Sequence, residues 1–581
     1  MTRRSSAAAS PAVRRTPRAA LRRVLLRVAR VAACAAVLLA APRVTPAANA
    51  AAPPPRVVLV LSIDQLRADR LDPSLPGGLG RIAREGRVFA DAAHAHAGTE
   101  TCPGHAAILT GHHPGPAGIP LNDFIDRESG RSIYCVADDA PDARTLGPAG
   151  DAGEGRSPRR MRVSALGDWM KASDSSARVF AVSGKDRAAI TLAGQHPDGV
   201  YWAEARPPGG FTTSRYYRAA MPQWAKRWYG KEAEEGAFLA DVPARWEHPG
   251  GVPPNGARID DTPWEASRFS RVSGHPLRSD DRKQLLDQIA FSPWLDTMTL
   301  DFARSLVDGE KIGQGGGTDL LAVSLSATDT VGHLYGPGSQ EARDALRRLD
   351  ADLGRFLSAV EKRAGKGRLL VVLTSDHGVL ELPEVLAQTG ASECPVPGGR
   401  IDAKALGKRL EAAVADAVEP AGSPAHDEPW LRHASLELTV NRQLAAARGV
   451  AVERVIDAAK QFLSTQPGVE RVWTPDEIAR GEGPVPFAAL YRNSFDAERS
   501  GDLVIQTAPT CELSPYPSGT SHGTPYLYDR AVPLVFYGPG ISPGVVRGRA
   551  APVDIAPTIA RQIGVPAPPG LDGQALALTD E

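Results

Sequence analysis

The sequence predicts an α/β protein built on a central, mostly parallel sheet flanked by helices, with inserted segments. Three observations carry that expectation. Short unbroken apolar runs recur along the chain, helical patterns lie between them, and the runs end on polar clusters. An unbroken run of this length suits a strand buried on both faces, as in a parallel sheet covered by helices. Strands alternating with amphipathic helices describe an open α/β sheet, whose sites form at the carboxyl ends of its strands.

The runs can be taken in order. Val57–Ile63 leads to Asp64, and Val179–Val182 leads to Ser183-Gly184-Lys185-Asp186-Arg187. Leu320–Leu325 leads to Asp329, and Leu369–Leu373 leads to Ser375-Asp376-His377-Gly378. Val532–Tyr537 is a further run of the same type. Between them Ala342, Leu346, Leu349, Leu353, Phe356 and Val360 recur at steps of three and four, which gives one apolar helical face. Two stretches break the alternation. Residues 201–310 are rich in Trp, Pro and Gly, and residues 381–510 hold a strand-helix-strand pattern of their own. Both are read as insertions, the second as a small cap. The catalytic core then comprises residues 51–200, 311–380 and 511–581.

Residues 1–50 stand apart. They hold ten Arg, no Lys and no acidic residue, and nine of the Arg precede an apolar run, Val31–Ala41. Small residues follow, ending Ala48-Asn49-Ala50. This is the pattern of a secretory signal peptide. The apolar run is about half of the roughly 20 residues a spanning helix needs, so no stable membrane anchor is expected. Cys34 lies near the start of the run rather than after it, a poor fit to a lipoprotein signal. Cleavage after Ala50 leaves 57 basic against 67 acidic residues, a balance that argues against nucleic acid as primary partner. An exported, periplasmic or secreted protein is expected. Its four cysteines, Cys102, Cys135, Cys394 and Cys511, then permit two disulfides in any of three pairings.

Asp329 and His333 form D-x-x-x-H, and positions four apart share a helical face. Asp376-His377 is a second carboxylate–imidazole pair at a strand end, Asp64 a third strand-end carboxylate, and His522 a loop imidazole. Singly, each is an ordinary cap, turn or surface residue. Together they make a mixed oxygen–nitrogen donor set suited to zinc. Thr99-Glu-Thr-Cys-Pro-Gly-His-Ala-Ala-Ile-Leu-Thr-Gly111 adds a nucleophile candidate, because a short helix over Gly104–Leu109 would put Thr101 at its N-terminus. Backbone N–H groups there favour a phosphoryl anion.

These motifs resemble the threonine-nucleophile branch of the alkaline phosphatase superfamily. Its pattern of Thr-x-Pro-x-His, Thr-Gly, Pro, Gly-Ile and Asn matches Thr101, Pro103, His105, Thr110-Gly111, Pro114, Gly118-Ile119 and Asn122. Ala117 departs from it, standing where a His is frequent. The resemblance implies an alkaline-phosphatase-like sandwich and two divalent ions, zinc by preference. It assigns one ion to Asp329, His333 and His522, and the other to Asp64, Asp376, His377 and the Thr101 oxygen. It further implies a phosphothreonine at Thr101, with Asn122, Lys185 and Arg187 on the phosphoryl oxygens. If residues 183–187 are extended, Lys185 and Arg187 project to one side. Small-molecule phosphate monoesters are the expected substrates. A phosphodiesterase or nucleotide pyrophosphatase on the same scaffold is the alternative, and its members lack the Lys/Arg pair. A sulfatase fits less well, since Cys102 is followed directly by Pro103 and no Arg follows.

Overall fold

The computed structural model describes residues 54–580, apart from residues 148–149, 205, 208, 231–236, 249–257, 421–422 and 424–425. The leader read over residues 1–50 lies outside the described residues. In chain order the framework begins with β1 (Val57–Ile63), α1 (Thr101–Thr110), β2 (Ser132–Tyr134), β3 (Val179–Ser183) and α2 (Asp186–Ala193). It continues with β4 (Gly199–Ala203), β5 (Asp319–Leu325), α3 (Ala327–Tyr335), α4 (Gln340–Ala364), β6 (Leu369–Thr374) and β7 (Val535–Tyr537).

Five strands run parallel in the order β6-β1-β5-β3-β4. They form the middle of a sheet that has eleven strands among the described residues. The reason lies in β1, whose seven residues are all buried. Val57, Leu59, Leu61 and Ile63 enter the core on one face, with Leu353, Phe356 and Val360 of α4. Val58 and Val60 enter the core on the other face, with Ala106, Ile108 and Leu109 of α1. Each such aliphatic side chain contributes about 1.5–3 kcal/mol on burial, which fixes both the strand and its helical covers. The result is a sandwich with a mixed, mainly parallel sheet at its centre.

Register decides where the polar clusters emerge. Ile63 pairs with Leu325, Ser62 with Thr374, and Ser324 with Ser183. The chain therefore leaves β1, β5, β6 and β3 along one edge, which gathers residues 64, 329, 376 and 185.

One strand departs from the reading of the apolar runs. β7 pairs antiparallel with β6, although Val532–Tyr537 resembles the parallel strands in composition. An apolar run reports burial on both faces and carries no direction. The loop bearing His522 lies at the carboxyl edge, so the strand that follows it starts there and runs the opposite way.

Beyond the central sheet, Leu431–Ala434, Glu437–Val440, Leu503–Thr507 and Val469–Trp473 form an antiparallel sheet. Helices Ala403–Val418 and Val452–Leu463 cover it around a separate hydrophobic core. Strand Phe211–Ser214 extends the central sheet antiparallel to β4. Disulfides join Cys102 to Cys135 and Cys394 to Cys511. Among the described residues no helix is long and apolar enough to cross a membrane.

The Cys394–Cys511 bridge spans a sequence separation of 117 residues, so it removes much freedom from the unfolded chain. Replacing both cysteines by Ser is expected to lower stability by roughly 2–4 kcal/mol. A denaturation midpoint equal to that of the oxidised wild type would contradict this.

Candidate active site

The carboxyl edge of the sheet holds three buried carboxylates. Asp64 follows β1, Asp376 follows β6, and Asp329 lies in the first turn of α3 after β5. His333 sits four residues on in the same helix, with Nε2 3.2 Å from Asp329 Oδ1. His522 Nε2 approaches the same oxygen at 3.6 Å. His377 Nε2 lies 3.3 Å from Asp376 Oδ2 and 3.6 Å from Asp64 Oδ1. The rings of His377 and His522 stack with centroids 3.6 Å apart, so the two groups adjoin.

Each imidazole is oriented by a backbone carbonyl. His333 Nδ1 lies 2.7 Å from the Thr520 oxygen, His377 Nδ1 3.0 Å from the Gly378 oxygen, and His522 Nδ1 2.7 Å from the Thr99 oxygen. A carbonyl only accepts, so Nδ1 donates and each Nε2 keeps its lone pair for the centre. Burial pushes the His377 imidazole well below its ordinary range, which keeps it neutral. Burial, then the Asp329 and Asp376 charges, push Asp64 well above the usual carboxylate range, against the pull of Lys185.

The buried ligand-type atoms Asp64 Oδ1 and His377 Nε2 find no hydrogen-bond partner among the described residues. Leaving such atoms unsatisfied costs about 1–3 kcal/mol each, more when charged. Asp64, Asp376 and His377 form one group able to chelate a divalent metal, and Asp329, His377 and His522 a second, with ligand atoms inside 4.8 Å of one another. The observed separations suit this. Tetrahedral zinc with bonds of roughly 2.0–2.1 Å has ligand–ligand edges of about 3.3–3.4 Å.

Thr101 opens α1 and is buried. The helix has no side-chain N-cap. The Cys102 N–H donates to Asn122 Oδ1 at 2.8 Å, and the Asn122 N–H donates to Glu100 Oε2 at 2.8 Å. Arg187 Nη2 donates to Thr101 Oγ1 at 3.4 Å. Lys185 Nζ lies 2.7 Å from Asp64 Oδ2 and 2.6 Å from Asp329 Oδ2, bridging two strand ends. The extended arrangement expected for residues 183–187 is not adopted throughout. Lys185 is extended, but α2 begins directly after it and places Arg187 in its first turn. The apolar run Ala188–Ala193 is the cause, since it buries a helical face against the sheet. The two cations consequently reach different partners.

Comparison with known proteins adds an independent line. The profile of the type I phosphodiesterase / nucleotide pyrophosphatase family matches residues 58–525. The chain is 32% identical over 541 residues to alkaline phosphatase PhoK of Sphingomonas sp, covering 90% of this chain and 91% of that protein. The chain belongs to the alkaline phosphatase superfamily. It is 30% identical to alkaline phosphatase PafA of Elizabethkingia meningoseptica, over 90% of this chain and 94% of that one. The crystal structure of wild-type PafA superposes with a TM-score of 0.81 at 28% identity, over 90% of this chain and 99% of that chain. The chain is thus a hydrolase of the alkaline phosphatase type, and the fold it shares with PafA is that superfamily's.

Three residues of this alkaline phosphatase site escape a reading for ligands and nucleophiles. Gln65 has a φ of 68°, unusual for a residue with a side chain. Its N–H donates to Asp376 Oδ1 at 3.1 Å, and Nε2 donates to Asp329 Oδ1 at 2.9 Å. His105 lies one turn after Thr101, with Nδ1 2.9 Å from the Thr101 carbonyl oxygen and 3.1 Å from Asp376 Oδ2. Gly104 lets α1 close on the metal-competent strand end, because a Cβ there would lie 2.1 Å from the Asp376 carbonyl oxygen. The motif offered His105 and Gly104 as positions, and nothing in the sequence singles out Gln65. Beside His522 opens a cavity of about 660 Å³, whose lining also includes Lys404, Lys408 and His433.

Gly104→Ala should therefore displace Thr101 from the carboxylates without unfolding the core. A loss of roughly 100-fold in kcat/KM is expected, the scale of an ångström's misplacement, with an unchanged circular dichroism spectrum. Wild-type turnover by this variant would refute the argument.

Proposed function

We propose that the chain hydrolyses phosphate monoesters through a phosphothreonine at Thr101, supported by two divalent cations, zinc by the donor set. The observation that carries this reading is the pair of fixed cationic side chains beside the nucleophile. Arg187 reaches Thr101 Oγ1 itself, and Lys185 lies among the carboxylates next to it. The names of PhoK and PafA support the same activity.

Asp329, His333 and His522 would hold one cation, and Asp64, Asp376, His377 and the Thr101 oxygen the other. When bound, such a pair supplies Lewis-acid stabilisation of the attacking and leaving oxygens. The protein's own groups account for the rest. Thr101 Oγ1 forms a bond to phosphorus as the bond to the leaving oxygen breaks. Water then cleaves the Oγ1–P bond and releases inorganic phosphate. Asn122 commits Oδ1 to the Cys102 N–H, which leaves its Nδ2 protons for a phosphoryl oxygen. Arg187 can offer two parallel donors to the same group. Lys185 would exchange carboxylate partners for phosphoryl oxygens, a swap between similar anions.

A monoester brings close to two negative charges and three non-bridging oxygens, whereas a diester brings one charge and a bulky substituent. The cations therefore favour the monoester. The diesterase reading rests on the description of the matching family profile, and the Lys185/Arg187 pair argues against it. An exported enzyme acting on small phosphate esters is the role that fits the leader read over residues 1–50.

Two results test this. After brief incubation with p-nitrophenyl phosphate and acid quench, phosphate should map to Thr101, and Thr101→Ala should lose roughly a thousandfold or more in kcat. Full turnover by that variant would sink the nucleophile assignment. Lys185→Ala and Arg187→Ala should each cut monoesterase activity by roughly 10- to 150-fold, the worth of one charge-assisted bond. Activity on bis-p-nitrophenyl phosphate should fall far less. A wild type that prefers the diester, or an unchanged ratio in both variants, would give the site to the diesterase reading.

A further inference from the structure

Away from the catalytic edge, three side chains from distant parts of the chain meet in a second buried cluster. The short antiparallel pair Arg245–Trp246 and His275–Pro276 carries His275 and leads directly to His248. Glu341 comes from the first turn of α4. Glu341 Oε1 lies 3.3 Å from His248 Nε2 and 3.2 Å from His275 Nε2. Asp260 Oδ1 stands 3.7 Å from the same His248 nitrogen. The side chains of His248 and Glu341 are each 1% exposed and that of His275 is 3% exposed.

His248 Nε2 and Glu341 Oε1 are within hydrogen-bonding distance, but the proton arrangement at His275 is harder to explain as ordinary hydrogen bonding. The Tyr335 hydroxyl lies 3.2 Å from the Ser270 carbonyl oxygen, which can only accept, so the hydroxyl proton goes there. The same hydroxyl oxygen then accepts from His275 Nδ1, also at 3.2 Å. That fixes the tautomer and turns the lone pair of His275 Nε2 toward the Glu341 carboxylate. Two lone pairs facing each other in a buried space repel unless a cation lies between them. Among the described residues His275 Nε2 and Asp260 Oδ1 have no hydrogen-bond partner.

From this geometry we infer that His248, His275, Glu341 and Asp260 form a third divalent-cation site, structural and of zinc type, separate from the catalytic groups. The observed separations of 3.2, 3.3 and 3.7 Å bracket the edges of about 3.3–3.4 Å expected for tetrahedral zinc. A His₂-carboxylate₂ set is an accepted donor combination for that ion. Tyr335, which orients His275, is the last residue of α3, the helix that carries Asp329 and His333. An ion here would clip His248, Asp260 and the strand carrying His275 onto α4 and brace the end of helix α3. It needs no open coordination position and takes no substrate.

The test reads a difference in metal content, so it stands apart from the number of catalytic ions. Wild type and His275→Ala, both purified in metal-free buffer without chelator, are compared by inductively coupled plasma mass spectrometry. The variant should hold one zinc fewer per chain and melt about 3–5 °C lower, the shift given by losing a ligand held at roughly a thousand times its Kd in a chain this long. Its kcat on p-nitrophenyl phosphate should stay within about threefold of wild type, since the cluster touches no reacting group. Anomalous scattering at the zinc edge from wild-type crystals should place a peak between His248 Nε2 and His275 Nε2, and this measurement decides the matter if the variant does not fold. No anomalous peak in zinc-equilibrated wild type, or equal zinc in a folded variant, would overturn the site and leave a protonated histidine–glutamate ion pair.

Discussion

Three carboxylates held out of water at one edge of a parallel sheet are the constraint on which the remaining structure turns. Isolating one carboxylate in a protein interior costs several kcal/mol even after relaxation. Asp64, Asp329 and Asp376 share one small space, so repulsion adds to desolvation. The fold answers from every side. Lys185 reaches in from the neighbouring strand end, and the Gln65 amide and N–H bind two of the carboxylates. The unusual backbone at Gln65 is the local cost of that arrangement. Gly332 on α3 has no Cβ because one would lie 1.9 Å from Gln65 Oε1.

Around this charge the imidazoles are set with little freedom. Their Nδ1 atoms are tied to main-chain oxygens, which are positioned by secondary structure rather than by side-chain rotamers. A set of imidazoles held this way is pre-organised, so its ordering entropy is met when the protein folds. At His275 the orienting group is a tyrosine hydroxyl instead, that of Tyr335. The cluster there joins His248 and His275 to Glu341 of the long helix α4. Both places join elements remote in sequence through polar groups whose partners must come from several directions.

Much of this was legible before any coordinates. The apolar runs of β1, β3, β5 and β6 identify strands buried on two faces, and the Asp and His residues just beyond them are where chemistry accumulates in such a sheet. D-x-x-x-H encodes a shared helical face, and the superfamily pattern around Thr101 fixes which threonine opens α1. What was not legible has physical causes. The direction of β7 depends on where its preceding loop ends, which no local composition records. The course of residues 183–187 depends on a helix that starts inside the motif and gains its stability from packing further along. The cysteine partners follow from three-dimensional proximity alone. His248, His275 and Glu341 are spaced without period and carry no motif. Their meeting is a property of the tertiary fold.

The order in which these parts appear along the chain has a temporal consequence. Thr101 and Asp64 are made early, whereas His522 arrives with the last tenth or so of the polypeptide and docks against Thr99 and Asp329. A parallel sheet whose neighbouring strands are hundreds of residues apart cannot close progressively, and folds with a high proportion of non-local contacts form slowly. A nascent or truncated chain therefore presents the carboxylates without the final imidazole. The polar cluster is closed only when the segment bearing His522 settles against Thr99 and Asp329, so the last part of the chain to be made completes a structure whose other members were laid down long before.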